Sequence, residues 1–432
     1  LWHENITFEK LLNIELVSHH LEDHSLFGIF ISLMILTAAC AKSAQFPYSS
    51  WLPRAMEGPT PSSAIFYGSL SVHLGVFLLL RTHPFWEHQI FARVMIGLIG
   101  LISAAVGASI GRVQSSIKSQ IAYASIAQIG LIFIELSLGL YSVALVHFAG
   151  NAFLRTYQLL VSPSAVSYLI REQFYHFEPK HQNIETKFSK KIEYTLFLLS
   201  IKEYNMDELL DKFLWKPFKN LGNTLRFINI SNLYYITLAT YFAGLLILVM
   251  HYKLPPFIVE IIPGIFVFIG LMLVFRAYAA RKNIFVAWTT LVMNHFWVVL
   301  AISFKDDLTF SEIIYYISGI VVAAALGYFV LYRIKSLEPD VDLNRFQGHA
   351  YEYPKLAFLF LVACLGLAGF PITPTFIGED IIFSHIDYDQ VILAFFLSLG
   401  FVISGIALIR MYARIFLGPH TKRYHAIAQR SS

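Results

Sequence analysis

Hydrophobic residues in this chain fall in long blocks separated by short polar stretches, and the strict alternation of a half-buried strand is absent from them. Eleven blocks approach or reach the roughly 20 residues that cross a bilayer as a helix: 26–41, 63–80, 93–110, 121–139, 142–161, 234–250, 257–275, 285–303, 312–332, 356–383 and 391–409. A backbone in hydrocarbon must satisfy its own N–H and C=O groups, so helices are the expected spanning elements. The pattern predicts an all-α, polytopic membrane bundle of about eleven transmembrane helices. Residues 1–170 read as an apolar leading segment and five spans, 171–230 as a charged insert, 231–420 as a second bundle and 421–432 as a polar tail.

Composition agrees, since 56% of the 432 residues are hydrophobic and only 14% charged, which excludes a soluble fold. With Lys42, Arg155 and Arg410 assigned to helices, loops on one side carry 24 Lys or Arg and loops on the other carry five. That asymmetry predicts that the rich side, including the insert, faces the cytoplasm. The net charge of +4 calls for no nucleic-acid partner. Cys40 and Cys364 stand far apart inside apolar blocks, and there is no CxxC, His/Cys metal spacing or Gly-rich phosphate loop. No metal, cofactor or catalytic centre is therefore expected in this chain.

The polar residues inside the blocks carry the chemistry. Lys42 closes the first block, where a cation costs roughly 2.5–3.5 kcal/mol, so it marks a functional path or snorkels to the interface. His147, Asn151, Arg155 and Gln158 stand at i, i+4, i+8 and i+11 and share one helix face. The stripe is interhelical hydrogen-bond glue or a hydrated charge path, and Arg155 calls for a counter-ion or water. In the tenth block Pro371 and Pro374, with nearby glycines, predict a broken helix. Glu379 and Asp380 follow as a relay or as an acid pair at a helix end. His73, Glu135 and His295 are relays or packing partners. Lys118–Ser125 loosely echoes Lys282–Thr290, each ahead of an apolar helix, as repeats in transporters do. In the insert, Leu209, Leu210, Phe213 and Leu214 recur at helical spacing. They predict an amphipathic helix, broken near Pro217, that lies on the membrane or docks a partner.

The run KSAQFPYSSWLPRAMEGPTPSSA, Lys42 to Ala64, closely resembles the signature of the proton-translocating, antiporter-like membrane subunits. That family includes the large distal subunit of respiratory complex I, the Mrp antiporters and the DabB subunits of inorganic-carbon pumps. Ile117–Lys118, Ala122–Ser125, Gln128–Gly130 and His147 through Arg155 are similar to its discontinuous-helix region, and Leu367–Asp380 to its later broken helix. The resemblance covers residues 25–175 well and 355–418 moderately. It implies a proton path through Lys42, His73, Lys118, His147, Arg155, Glu379 and Asp380. It also implies a buried Lys42 whose glutamate partner lies on helices upstream of this chain. Two positions depart from the pattern, with Arg155 in place of a lysine and Tyr67 in place of the histidine of the complex I subunit.

Ser62–His73, Phe153–Ser164 and Gly378–Asp380 look most like DabB-type subunits. That likeness implies a subunit of a bacterial inner-membrane complex for CO2 and bicarbonate uptake, conducting protons or sodium. It further implies a DabA-like cytoplasmic zinc protein as partner, with Leu209, Phe213, Leu214 and Trp215 as docking anchors. The alternative is a proton-pumping subunit among the complex I membrane subunits, or an Mrp-type antiporter.

Overall fold

The computed structural model describes residues 12–15, 17, 25–175, 190–304, 309–338, 340–386 and 390–419. Residues 176–189 of the insert and the 421–432 tail lie outside this set. Regular structure among the described residues is helical, without strands. The helices used below are α1 Ser25–Lys42, α2 Thr60–Arg81, α3 Ile90–Gly111, α4 Ile117–Ser137, α5 Tyr141–Tyr175, α6 Lys190–Ile201 and α7 Lys216–Thr224. They continue with α8 Leu233–Val249, α9 Pro256–Ala279, α10 Ile284–Ile302, α11 Phe310–Leu337, α12 Pro354–Leu367, α13 Pro374–Ser384 and α14 Val391–Phe416. Each of the eleven apolar blocks falls on helix, the tenth being divided between α12 and α13. Seven of the helices are long and apolar enough to cross a membrane, and three shorter apolar ones accompany them. The protein is an all-α, multi-span membrane bundle.

The chain divides into two compact units, Leu1–Lys212 and Phe213–Ser432, at a boundary inside the expected insert. In the first unit α3 and α4 lie backbone against backbone. A Cβ on either Gly100 or Gly130 would stand 2.5 Å from the other residue's carbonyl oxygen, so only glycine permits the approach. Small residues at crossing points are how helices associate where lipid supplies no hydrophobic drive. In the second unit α10 is apolar on all sides and buried for most of its length, as a central core helix must be. Its Trp288 lies against Gly327 of α11 and donates from Nε1 to the Ala324 carbonyl at 3.2 Å. Side chains such as Phe66 and Phe153 in the first unit and Phe257 in the second face outward, the arrangement lipid favours.

The expected break near Pro217 is corrected by the structure. A π-helical turn over Asp211–Trp215 precedes α7, and Pro217 sits in the first turn of that helix. The helical backbone runs on through Trp215, and the irregular turn ahead of Pro217 accommodates a residue that has no N–H to donate. The chain instead turns sharply earlier, where Glu203, Tyr204 and Asn205 all take left-handed backbone angles, with φ of 50°, 54° and 52°. A left-handed backbone brings Cβ of an L-residue close to a carbonyl oxygen and costs roughly 1–2 kcal/mol per residue. Contacts to the Lys42–Ala64 run offset that cost. Asp207 pairs with Arg54 and accepts from Ser50 Oγ at 2.6 Å, Met206 is buried beside Ser49, and the Tyr204 and Ser109 hydroxyls lie 3.1 Å apart.

Burial disfavours the Asp207 carboxylate, but hydrogen bonds from Ser50 and Arg54 and the Arg54 charge outweigh it and hold its pKa below the ordinary value. A depressed carboxylate pKa stabilises the contact above the unfolded value of about 3.9 and loses that contribution as pH falls through the folded one. A spin label at Lys202→Cys is therefore expected to stay immobile from pH 8 to 5 and to loosen only in stronger acid. Adding Asp207→Asn should loosen it already at pH 7. Equal mobility in both proteins at pH 7 would show that the pair does not hold this turn.

Candidate functional site

The first unit gathers its intramembrane polar groups where α2, α4 and α5 meet. α2 is irregular, with a π-helical stretch over Ser63–Leu70 followed by a tight turn over Ser71–His73. Such turns collect at functional sites because they re-aim a side chain without ending the helix. Here they deliver His73 to the interior, where it is 1% exposed and meets the Phe148 ring edge-on, with ring centres 5.0 Å apart.

His73 Nδ1 lies 2.9 Å from the Ser69 carbonyl oxygen, which only accepts, so Nδ1 carries the proton. Its Nε2 lies 3.0 Å from Asn151 Nδ2 and accepts from that amide. Asn151 cannot turn over at will, because its Oδ1 accepts from Arg155 Nε at 3.1 Å. Arg155 Nη1 donates to Gln158 Oε1 at 2.6 Å and Nη2 to the Ala124 carbonyl at 3.3 Å. Among the described residues Arg155 forms no ion pair. Of the counter-ion or water expected from sequence, the described residues supply no counter-ion, and two side-chain amides and a backbone carbonyl surround the guanidinium of a residue only 7% exposed.

About two turns before Arg155 on α5, His147 is bracketed by two groups of α4. Its Nδ1 stands 2.7 Å from Glu135 Oε1 and its Nε2 2.9 Å from Gln128 Oε1. A carboxylate and an amide oxygen both accept, so this geometry suits the doubly protonated ring. Gln128, by turning its amide over, offers an N–H to the neutral ring instead. His147 and Glu135 are each about one-fifth exposed, whereas His73 is shut away. The sequence points to the α5 stripe, to Glu135 and, through the resemblance, to Gln128, but not to the pairing of either with His147. The signal was a lone carboxylate at the end of one apolar block and a histidine near the start of the next.

Other expected path residues lie apart from this network. Lys42, expected to be buried against helices upstream of this chain, stands at the last position of α1 and is exposed among the described residues. Ala44, with φ 52°, turns Ser43 and Gln45 inward and leaves Lys42 on the outer face. Gln45 then donates to the Ser43 and Ile126 carbonyls at 2.9 and 3.3 Å, which ties the polar run to α4. Lys118, half-buried at the start of α4, donates to the Gly58 carbonyl at 2.8 Å.

In the second unit the interruption falls at residues 368–373, between α12 and α13. Gly369, at φ 64°, makes the turn, Pro371 lies within it, and Pro374 opens α13 with the Thr373 side chain as its cap. Glu379 is half-buried with its carboxylate against Gly369, where a Cβ would stand 2.2 Å from Oε2. Asp380 is exposed. Nearby on α11, Tyr316 packs against Gly378 and its hydroxyl lies 2.8 Å from Nδ1 of the buried His295. Of the expected docking anchors, Trp215 is turned inward, stacked on Tyr278 at 5.9 Å and meeting Phe218 edge-on. Leu209 and Leu214 are each 37% exposed, and Phe213 is 71% exposed.

Residues 2–175 match the family described as NADH:quinone oxidoreductase/Mrp antiporter, transmembrane. NAD(P)H-quinone oxidoreductase subunit 5 of Lemna minor chloroplasts is 38% identical over 37% of this chain and 20% of its own length. The probable inorganic carbon transporter subunit DabB2 of Halothiobacillus neapolitanus is 36% identical over 35% of this chain and 27% of its own. NADH-quinone oxidoreductase subunit L of Rhodobacter capsulatus is 37% identical over 33% of this chain and 20% of its own. The chain thus spans between a fifth and about a quarter of the length of these relatives. The matched residues include α1 to α5 and the whole His73–Arg155 network, so it is this first part of the chain that is similar to the NADH:quinone oxidoreductase/Mrp antiporter transmembrane family.

Proposed function

We propose that this chain is a proton-conducting membrane subunit that, in its complex, passes protons down their gradient to drive a DabA-like cytoplasmic zinc protein converting CO2 to bicarbonate. The observation that carries the conducting role is the pair of hydrogen-bonded stretches over α4, α5 and α2, one joining Glu135, His147 and Gln128 and the other running from His73 through Asn151 to Arg155. Glu135 and His147 exchange a proton within one short hydrogen bond, and Gln128 accommodates the ring in either state. Arg155 keeps its proton. Its part is to pin Asn151, which holds His73 in its neutral form, and to set a permanent positive charge beside the path. Glu379 passes protons in the second unit, seconded by Asp380.

The inorganic-carbon assignment is supported by the DabB2 relative and by the segments around His73, Arg155 and Glu379. A bacterial inner membrane, with the Lys- and Arg-rich loops on the cytoplasmic side, is the setting it requires. The second reading, a complex I-type proton-pumping subunit, is favoured by relatives of that name matching at the same level of identity. The partner that co-purifies with the intact complex distinguishes the two. A carbonic-anhydrase-like zinc protein supports the first, and quinone-reductase subunits support the second.

Proton flux in vesicles carrying the full complex tests the path. Arg155→Lys should alter the pH profile of flux between pH 6 and 9, because lysine releases a proton where arginine cannot. Arg155→Leu should depress flux at every pH, and unaltered flux in that variant would make the stripe packing glue. Glu379→Gln keeps shape but cannot titrate, and should cost on the order of 10²-fold, the scale of a lost proton-transfer group. Asp380→Asn should cost far less, and equal mild losses would reduce the two acids to a helix-end pair. For docking, Phe213→Asp should lower partner recovery while leaving the thermal midpoint within about a degree, as surface changes do. Wild-type recovery would place the partner elsewhere. Trp215 is unsuitable for this test because its ring belongs to the packing of its own unit.

A further inference from the structure

The segment between α11 and α12 is unusually well tied down. Its Leu343 N–H donates to the Arg281 carbonyl at 2.8 Å. The N–H groups of Gln347, Gly348, His349 and Ala350 donate to the carbonyls of Arg414, Leu417, Ile415 and Phe416. The loop thereby caps the end of α14, whose last carbonyls have no partners within the helix. Inside this brace, Glu338 and His349 are each 3% exposed and Glu352 is half-buried. One donor atom from each of the three lies within 4.8 Å of the others.

The surroundings orient these donors. His349 Nε2 lies 3.0 Å from Gln347 Oε1, and the Gln347 amide is fixed because its Nε2 donates to the Asp342 and Asp340 carbonyls at 3.0 and 3.4 Å. Nε2 therefore carries the proton, and Nδ1 is the nitrogen left to bind a metal. A histidine whose other ring N–H is held by an oxygen is the usual support of a metal ligand. The Tyr353 hydroxyl donates to Glu338 Oε1 at 3.4 Å, orienting the first carboxylate in the same way. Two carboxylates and an imidazole brought this close make a donor set that suits a divalent cation. One nitrogen and two carboxylate oxygens suit a borderline ion of the zinc kind, with a further position for water. Donors sharing such an ion at roughly 2.0–2.2 Å lie no more than about 4.4 Å apart. The half-buried Glu352 supplies the small closure required.

We propose that Glu338, His349 and Glu352 form a divalent metal site of the zinc class that staples the α11–α12 loop onto the end of α14. Nothing in the transport reading assigns this site. Because the sequence holds 16 histidines, the test is differential. The full chain in detergent is stripped with a chelator and dialysed against low-micromolar ZnCl2 with excess Mg2+, and bound zinc and the thermal midpoint are measured. The wild type should retain about one zinc more than His349→Ala or Glu352→Gln, and only the wild type should gain several degrees. X-ray absorption of the zinc-loaded wild type should show one imidazole with oxygen ligands, a reading that stands even if His349→Ala fails to fold. Equal zinc in wild type and Glu352→Gln, no retained zinc, or two or more imidazoles on the ion would each overturn the proposal.

Discussion

A guanidinium that keeps its proton and is sealed inside an apolar bundle must be hydrogen-bonded on every side it presents. Arg155 meets that demand without a carboxylate, through Asn151, Gln158 and the Ala124 carbonyl. Much of the first unit's polar arrangement follows from this. Asn151 is orientated by Arg155, and His73 is orientated by Asn151 and Ser69. A fixed positive charge is thus embedded beside a histidine whose protonation pattern depends on a neighbour that the charge controls.

The contrast between the two histidines is chemical. His73 has one nitrogen on a carbonyl and the other on an amide N–H whose direction is pinned, a setting for one state only. His147 faces a carboxylate and an amide that can turn, and it is not fully enclosed. A relay needs a group that changes state at little reorganisation cost, and His147 fits that description better than His73. Close helix packing at Gly100 and Gly130 keeps α4 rigid enough for Gln128 and Glu135 to hold their places.

The irregular backbone serves the same ends. The π-helical stretch of α2 aims His73 inward, and the gap between α12 and α13 brings the Glu379 carboxylate against a glycine. At 203–205 three left-handed residues are held by contacts to the Lys42–Ala64 run. Each departure from regular helix stands where a charged or titratable side chain has to be placed, and in each the local cost is offset by specific hydrogen bonds or packing.

Block length and apolar composition determined the all-helical, multi-span architecture by themselves, because a bilayer leaves a backbone few other solutions. The break in the tenth block and the shared face of His147, Asn151, Arg155 and Gln158 were equally legible, since proline chemistry and the helical period are local properties. What only the tertiary structure decided were relations between segments distant in sequence. It paired Glu135 with His147, hung His73 on Asn151 and exposed Lys42. It also turned Trp215 inward and brought Glu338, His349 and Glu352 within reach of one another. Periodicity places a residue on a face of its own helix, but the partner opposite that face is set by which helices pack together and at what register, and no local pattern carries that information.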